Sequence, residues 1–386
     1  YYNGPVPQGE PVQVRTDRTV NFNWIFALPH PALDANCFSV VWTGSVVMPR
    51  TMDGCIGLST QDSMRLYVDD KLLIDGWGKD KSADQALDFH FEAGRTYKIR
   101  IEFVNDRRGA RVIFGYSAGR ENFPAAVEAA RKADVAILCM GDNEETSGEN
   151  FDRTDLNLPG RQLELVQAVY ATGTPVVLVL QSGRPVTANW ENDHLPAILE
   201  AWFPGEQGGT AIAKTLFGDA APGGRLPITF PRSVGQIPCH YSRRPGGGKR
   251  YVEMDWLPLY PFGYGLTYTT FAYRDMALSR SVIDPQDTVT VSVTVTNTGK
   301  YTGDAVPQLY VRDMFSSVVK PERQLAAFRR LTLAPGESRR VELTVGPKQL
   351  RTLGPDYVWR VEPGKFELQL GDNAENILLR ADLTVE

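Results

Sequence analysis

Val135-Ala136-Ile137-Leu138-Cys139-Met140 runs directly into residues 141–160, Gly-Asp-Asn-Glu-Glu-Thr-Ser-Gly-Glu-Asn-Phe-Asp-Arg-Thr-Asp-Leu-Asn-Leu-Pro-Gly. Residues 161–169, Arg-Gln-Leu-Glu-Leu-Val-Gln-Ala-Val, follow. The first run has the length and composition of a strand buried on both faces, and the last carries its apolar residues at helical spacing. The acidic loop between them is thereby placed at the carboxyl end of a sheet strand, where open α/β sheets put their ligand crevices.

The same alternation extends outward on both sides. Residues 124–133 predict a helix with Pro124 in its first turn. Downstream, residues 175–180 and 197–203 are strand-like, and a helix runs from about Gly208 through Ile212 and Leu216. Helix alternating with apolar strand implies βαβ units and a mostly parallel sheet. Gly208-Gly209 at a helix start is no phosphate cradle, because no Lys-Ser or Lys-Thr follows.

Period-two patterning flanks this core. Tyr97, Ile99, Ile101 and Phe103 share one face of a strand, residues 111–116 give another, and residues 66–75 place two apolar runs around an Asp-Asp-Lys turn. Beyond Phe271, Val289, Val291, Val293 and Val295 alternate with Thr and Ser, residues 309–311 form a further strand, and Pro335-Gly336 and Pro363-Gly364 mark turns. The expected fold class is multidomain, α/β plus all-β: a β-sandwich over residues 1–116, an α/β sandwich over 117–268 and a second β-sandwich over 269–386.

With 386 residues the chain is long enough for two or three cores. A formal net charge of −5 gives no reason to expect nucleic acid, and no apolar run reaches the length of a membrane span. The chain opens at Tyr1 with no signal-like segment, so an export signal is expected only on upstream sequence, and the compartment, cytoplasmic or secreted and periplasmic, stays open. Cys37, Cys55, Cys139 and Cys239 are widely spaced without histidine pairs, which argues against a zinc site and favours buried thiols over disulfides. No cofactor is indicated.

Residues 147–153, Ser-Gly-Glu-Asn-Phe-Asp-Arg, with Leu156, Leu158, Pro159, Gly160 and Gln162, resemble the acid/base loop of glycoside hydrolase family 3, the β-glucosidase and β-xylosidase family. Residues 181–185, 202–209 and 223–231 resemble further blocks of that family, as does Leu259-Tyr260-Pro261-Phe262-Gly263-Tyr264-Gly265-Leu266-Thr267-Tyr268. Trp42, Gly44, residues 62–75 with Trp77, and Tyr97, Ile99 and Glu102 resemble a protective-antigen-type β-sandwich, and the last sandwich resembles a fibronectin type III-like domain. The resemblance implies Glu149 as general acid/base, with Asp152 and Arg153 ordering the loop. Asn150 stands where the family usually has glycine.

Trp77 and Lys79 are candidates to lean over a sugar, although Trp77 equally suits a cap on the sandwich core. Asp69-Asp70 suits a tight turn better than a calcium pair. Met254-Asp255-Trp256 resembles the family's Ser-Asp-Trp nucleophile motif but precedes the aromatic segment rather than following a barrel strand, so Asp255 is read as structural. The resemblance further implies that nucleophile and sugar-binding Lys-His pair lie on an N-terminal (β/α) barrel, and neither motif stands in this chain.

Two functions follow. The first is the acid/base half of a β-glucosidase, or a β-xylosidase of the same family, acting on an oligosaccharide or small β-glycoside and completed by a barrel chain or segment. The second is a non-catalytic carbohydrate-binding assembly. Homo-oligomerisation is left open.

Overall fold

The structure is a computed structural model that describes residues 1–386 apart from 25–26, 61, 79–84, 106–110, 119–122, 145, 150 and 247–249. The chain divides into two compact units, Tyr1–Asn122 and Phe123–Glu386.

The first unit is an antiparallel β-sandwich. One sheet pairs Tyr2–Asn3, Phe38–Val47, Thr96–Asn105, Ser63–Val68 and Lys71–Asp75 in that order, and the other pairs Asn21–Asn23, Arg111–Ala118, Met52–Thr60 and Gln85–Phe91. Tyr97, Ile101 and Phe103 project into the core as their spacing predicts, meeting Phe38, Ile56 and Met64. Trp24 and Trp42 stack 6.3 Å apart, and Trp42 Nε1 donates to Asp17 Oδ2 at 2.9 Å, so the half-buried indole has no orphaned donor. Asp69 and Asp70 form the expected tight turn, both with positive φ (48° and 63°). Their surroundings are basic: the Asp69 carboxylate accepts from Arg95 and from the Lys98 amide, each at 2.9 Å.

The second unit begins with a three-stranded parallel sheet of Ala136–Gly141, Val176–Gln181 and Ala197–Glu200, in chain order. The register pairs Gly141 with Gln181 and Leu180 with Glu200, which aligns all three carboxyl ends. Helices Pro124–Arg131, Gln162–Tyr170 and Gly208–Leu216 lie close to their expected positions, and a short helix, Asn189–His194, had no clear apolar period to announce it.

Two expectations fail here. The 136–141 strand is not buried on both faces: Leu138 and Met140 pack into the core, whereas Ile137 is 45% exposed and Cys139 is exposed. It is also an edge strand in the described sheet, so both one hydrogen-bonding side and the face bearing Ile137 and Cys139 are uncovered among the described residues. The four cysteines are free thiols, but none is buried. Cys139 belongs to that same open face, and Cys55 lies 3.0 Å from the Ser117 hydroxyl on the surface of the first sandwich.

The C-terminal sandwich sets Phe271–Leu278, Val289–Asn297 and Ser338–Val345 against a five-stranded sheet containing Gly364–Gly371 and Gln308–Asp313. Val289, Val291, Val293 and Val295 are fully buried, as their alternation requires. The aromatic segment ties this sandwich to the parallel sheet. Phe262 stacks on Tyr241 at 4.2 Å, and its carbonyl accepts from the Ala374 amide at 3.0 Å. The buried Gln308 side chain donates to the Gly263 carbonyl at 3.0 Å. Gly263 has φ +82° and would drive a Cβ into that Gln308 amide, so only glycine fits.

Candidate active site

The carboxyl edge of the parallel sheet carries the acidic loop, and its geometry starts at Gly141. This residue has φ +141°, with the Gln181 backbone against the space a Cβ would occupy. Its N–H donates to Gln162 Oε1 at 2.7 Å, and its carbonyl accepts from Gln162 Nε2 at 2.8 Å. One side-chain amide at the start of the helix therefore closes the base of the whole loop.

The next residue, Asp142, has a fully buried carboxylate. It accepts from Ser182 Oγ at 2.8 Å and pairs with Arg184, whose Nε is 3.1 Å from Oδ2 and whose Nη2 is 3.2 Å from Oδ1. Thr146 Oγ1 donates to Asp142 Oδ1 at 3.2 Å, fixing the ascending arm of the loop three residues before Glu149. Arg184 Nη2 also donates to the Asn157 carbonyl at 3.1 Å, and Thr187 Oγ1 donates to Asn157 Oδ1 at 2.6 Å, fixing the descending arm. Two loop arms and two strand ends meet on one buried ion pair.

Glu149 rides on the tip of this loop, exposed to solvent, and pairs with no described residue. The Phe151 ring packs back on Gly148, where an added Cβ would come within 3.0 Å of it. Asp152 is exposed, and Arg153 reaches only Asp155, at 3.8 Å. The contacts that anchor the loop thus come from Asp142, Arg184, Ser182 and Gln162. Asp142 and Arg184 were missed as site residues, and the signal for them was positional: each lies just beyond the end of an apolar strand.

Glu200 ends the third strand. Its Oε1 accepts from the Trp202 amide at 2.9 Å, while Oε2 is buried without a hydrogen bond, and burial pushes the carboxyl up to about 7. Trp202 has φ +53°, so the strand expected over 197–203 stops at Glu200 and the chain turns outward. Phe203 then lies against Gly183, where a Cβ would approach its ring to 2.8 Å.

Trp77, in the first unit, is half-buried, with the Arg65 guanidinium 4.8 Å from its ring centroid and its amide donating to Asp75 Oδ1 at 3.2 Å. Lys79 lies outside the described residues. Asp255 sits in an exposed turn, its Oδ1 accepting from the Leu257 amide at 3.0 Å, which suits the structural reading.

Fold and site together define a multidomain protein that offers an exposed carboxylate on a braced loop at the crest of a parallel sheet, followed by an all-β sandwich. Residues 33–268 match the glycosyl hydrolase family 3 C-terminal domain, and residues 305–374 match a fibronectin type III-like domain. The chain belongs to glycosyl hydrolase family 3. It is 45% identical to a beta-xylosidase of Formosa agariphila over 75% of this chain and 42% of that protein. Identity to a beta-glucosidase of Rhizobium radiobacter is 34%, over 100% of this chain and 51% of the relative. Among solved structures, Kluyveromyces marxianus beta-glucosidase in complex with glucose superposes with a TM-score of 0.75 at 28% identity, covering 97% of this chain and 48% of that one. The chain spans about half or less of the length of the relatives it matches. No described helix is long and apolar enough to cross a membrane.

Replacing Asp142 with alanine strands the Arg184 charge in a buried setting, and urea denaturation should show a loss of about 3–5 kcal/mol. A loss below about 1 kcal/mol would mean the pair acts as an exposed one. For Glu200 the folded protein holds its proton more tightly than the value of 4.5 expected without burial. The associated stability is fully present below about pH 4.5 and is lost as pH rises through about 7. Between about pH 5 and about pH 8 the parent should therefore lose about 1–3 kcal/mol that Glu200→Gln retains, read from paired melts at each pH.

Proposed function

We propose that this chain is the acid/base-bearing half of a retaining, exo-acting β-glucosidase that removes terminal non-reducing β-D-glucosyl residues. The reading is carried by Glu149: a carboxylate free of described partners, at the tip of a loop braced at both arms. Its partner would be a nucleophilic aspartate on a (β/α) barrel, from further sequence or a second chain. The glucose complex of the Kluyveromyces relative supports glucosyl recognition. The Formosa relative favours β-xyloside cleavage as a second reading, and a panel of aryl β-glucosides and β-xylosides separates the two.

In the first half-reaction the barrel aspartate attacks the anomeric carbon while the Glu149 carboxyl gives its proton to the departing glycosidic oxygen. In the second, the same group, now a carboxylate, takes a proton from water as the water displaces aspartate from the glycosyl-enzyme. The two carboxyl groups must then stand roughly 5 Å apart. A loop tethered through Asp142 and Arg184 would reach such an arrangement with little ordering left to do.

The domain scheme 1–116, 117–268 and 269–386 belongs to the same proposal, with a protective-antigen-type module first and a supporting sandwich last. Trp77, with Lys79, is proposed to hold outer sugar units, since an indole face stacks on a pyranose.

In the full-length protein, Glu149→Ala should slow alkyl glucoside hydrolysis by about a hundred- to ten-thousandfold and spare dinitrophenyl glucoside far more. Azide should partly restore turnover as the glycosyl azide. Equal losses on both substrates without azide rescue would remove Glu149 from this role and favour a non-catalytic assembly. Trp77→Ala should raise KM for longer oligosaccharides severalfold and leave a small aryl glucoside untouched. An unchanged chain-length profile would return Trp77 to a packing role beside Arg65.

A further inference from the structure

A groove of about 1010 Å³ opens within the second unit, between the end of the Gly208–Leu216 helix and the C-terminal sandwich. Phe217 and Asp219 line it on the helix side, Tyr268 on the connecting segment, and Tyr301, Thr302 and Asp304 on the sandwich side. Three of these are aromatic and open to solvent: Phe217 is 79% exposed, Tyr301 63% and Tyr268 43%.

The backbone under Phe217 and Tyr301, and the hydroxyl of Tyr268, are held in place. The Phe217 amide donates to the Ala213 carbonyl at 2.9 Å, and Gly218, with φ +83°, turns the chain away immediately afterwards. Tyr268 donates its hydroxyl to the Thr215 carbonyl at 2.5 Å. The fully buried Asn297 donates to the Tyr301 carbonyl at 2.8 Å, pinning that loop from below. Aromatic side chains on an anchored backbone have few torsions left to order on binding.

The polar groups narrow the choice of occupant. Asp304 is already engaged by Arg330 and by Thr332 Oγ1, at 2.6 Å from the latter. Asp219 is exposed and pairs with no described residue. An apolar partner surface would strand the Asp219 charge, and a nucleic acid would be repelled by it. A neutral sugar offers C–H faces to the rings and hydroxyl donors to the carboxylate. The volume is at the top of the ~300–1,000 Å³ range of ligand pockets, roomy enough for an oligosaccharide.

We propose that this groove is a second, non-catalytic carbohydrate site that takes a stretch of neutral β-linked glycan, independently of the chemistry at Glu149. The test is affinity electrophoresis of the full-length protein in gels containing soluble β-glucan or xylan, alongside aryl glucoside hydrolysis. The parent should be retarded by at least one of the two polymers. Phe217→Ala with Tyr301→Ala should weaken that retardation about tenfold, in line with loss of two stacking faces, and leave aryl glucoside turnover unchanged. Glu149→Ala should leave the retardation intact, so a failure of the catalytic reading shows only in turnover. No retardation of the parent by either polymer would overturn the proposal, as would equal retardation of the double variant. A parent dimer, seen by size-exclusion chromatography with light scattering, that dissociates in the double variant would assign the groove to a second copy instead and overturn it equally.

Discussion

The buried ion pair of Asp142 and Arg184 is the constraint on which the crest of the parallel sheet depends. A carboxylate with no solvent contact is tolerable only when charge and hydrogen bonds compensate its lost hydration. Here that compensation recruits the loop: Arg184 reaches the Asn157 carbonyl, Ser182 and Thr146 donate to Asp142, and the two strand ends are fixed by register. Such a pair adds little net stability over a well-packed apolar substitute, but removing one member is costly. Its value lies in specificity of position. A twenty-residue loop left to solvent would sample many conformations, and each one excluded beforehand is entropy that substrate binding need not supply.

Gly141 and Gln162 complete the device by a different route. The amide of Gln162 satisfies both backbone groups of a residue at φ +141°, where a side chain is sterically barred. The loop thus has a neutral clamp at its base and a charged clamp along its arms. Neither clamp makes a hydrogen bond or ion pair with Glu149, whose side chain stays exposed.

Much of this was legible in the residues, and unevenly so. The Val289 to Val295 alternation and the Tyr97 to Phe103 face predicted burial correctly because period two leaves one choice of inward face. The Asp-Asp turn was legible because few residues accept positive φ at two consecutive positions. Residues 135–140 misled, since an apolar run does not say whether a neighbour covers its second face. The free cysteines misled for a related reason: Cys139 sits on that open face, where strand parity rather than chemistry decides exposure. The Asp142 and Arg184 pair was invisible to local patterning. Forty-two residues separate the partners, and only the parallel register brings them together.

Glu149 and Glu200 show how far a residue type falls short of a role. Both are glutamates of the same unit, one on a loop beyond the first strand of the sheet and one ending the third. Glu200 is enclosed, spends one oxygen on the Trp202 amide and keeps the other dry, and so serves the turn that carries Phe203 against Gly183. Glu149 has the opposite setting, open to water, with its loop tethered on both sides and its own oxygens unspent on any described residue. Of the two, Glu149 is the one whose exposed setting fits the proposed acid/base role, which needs a carboxyl that a glycosidic oxygen and then water can both reach. Burial, supplied by strands far apart in sequence, separates the scaffold carboxyl from the exposed one.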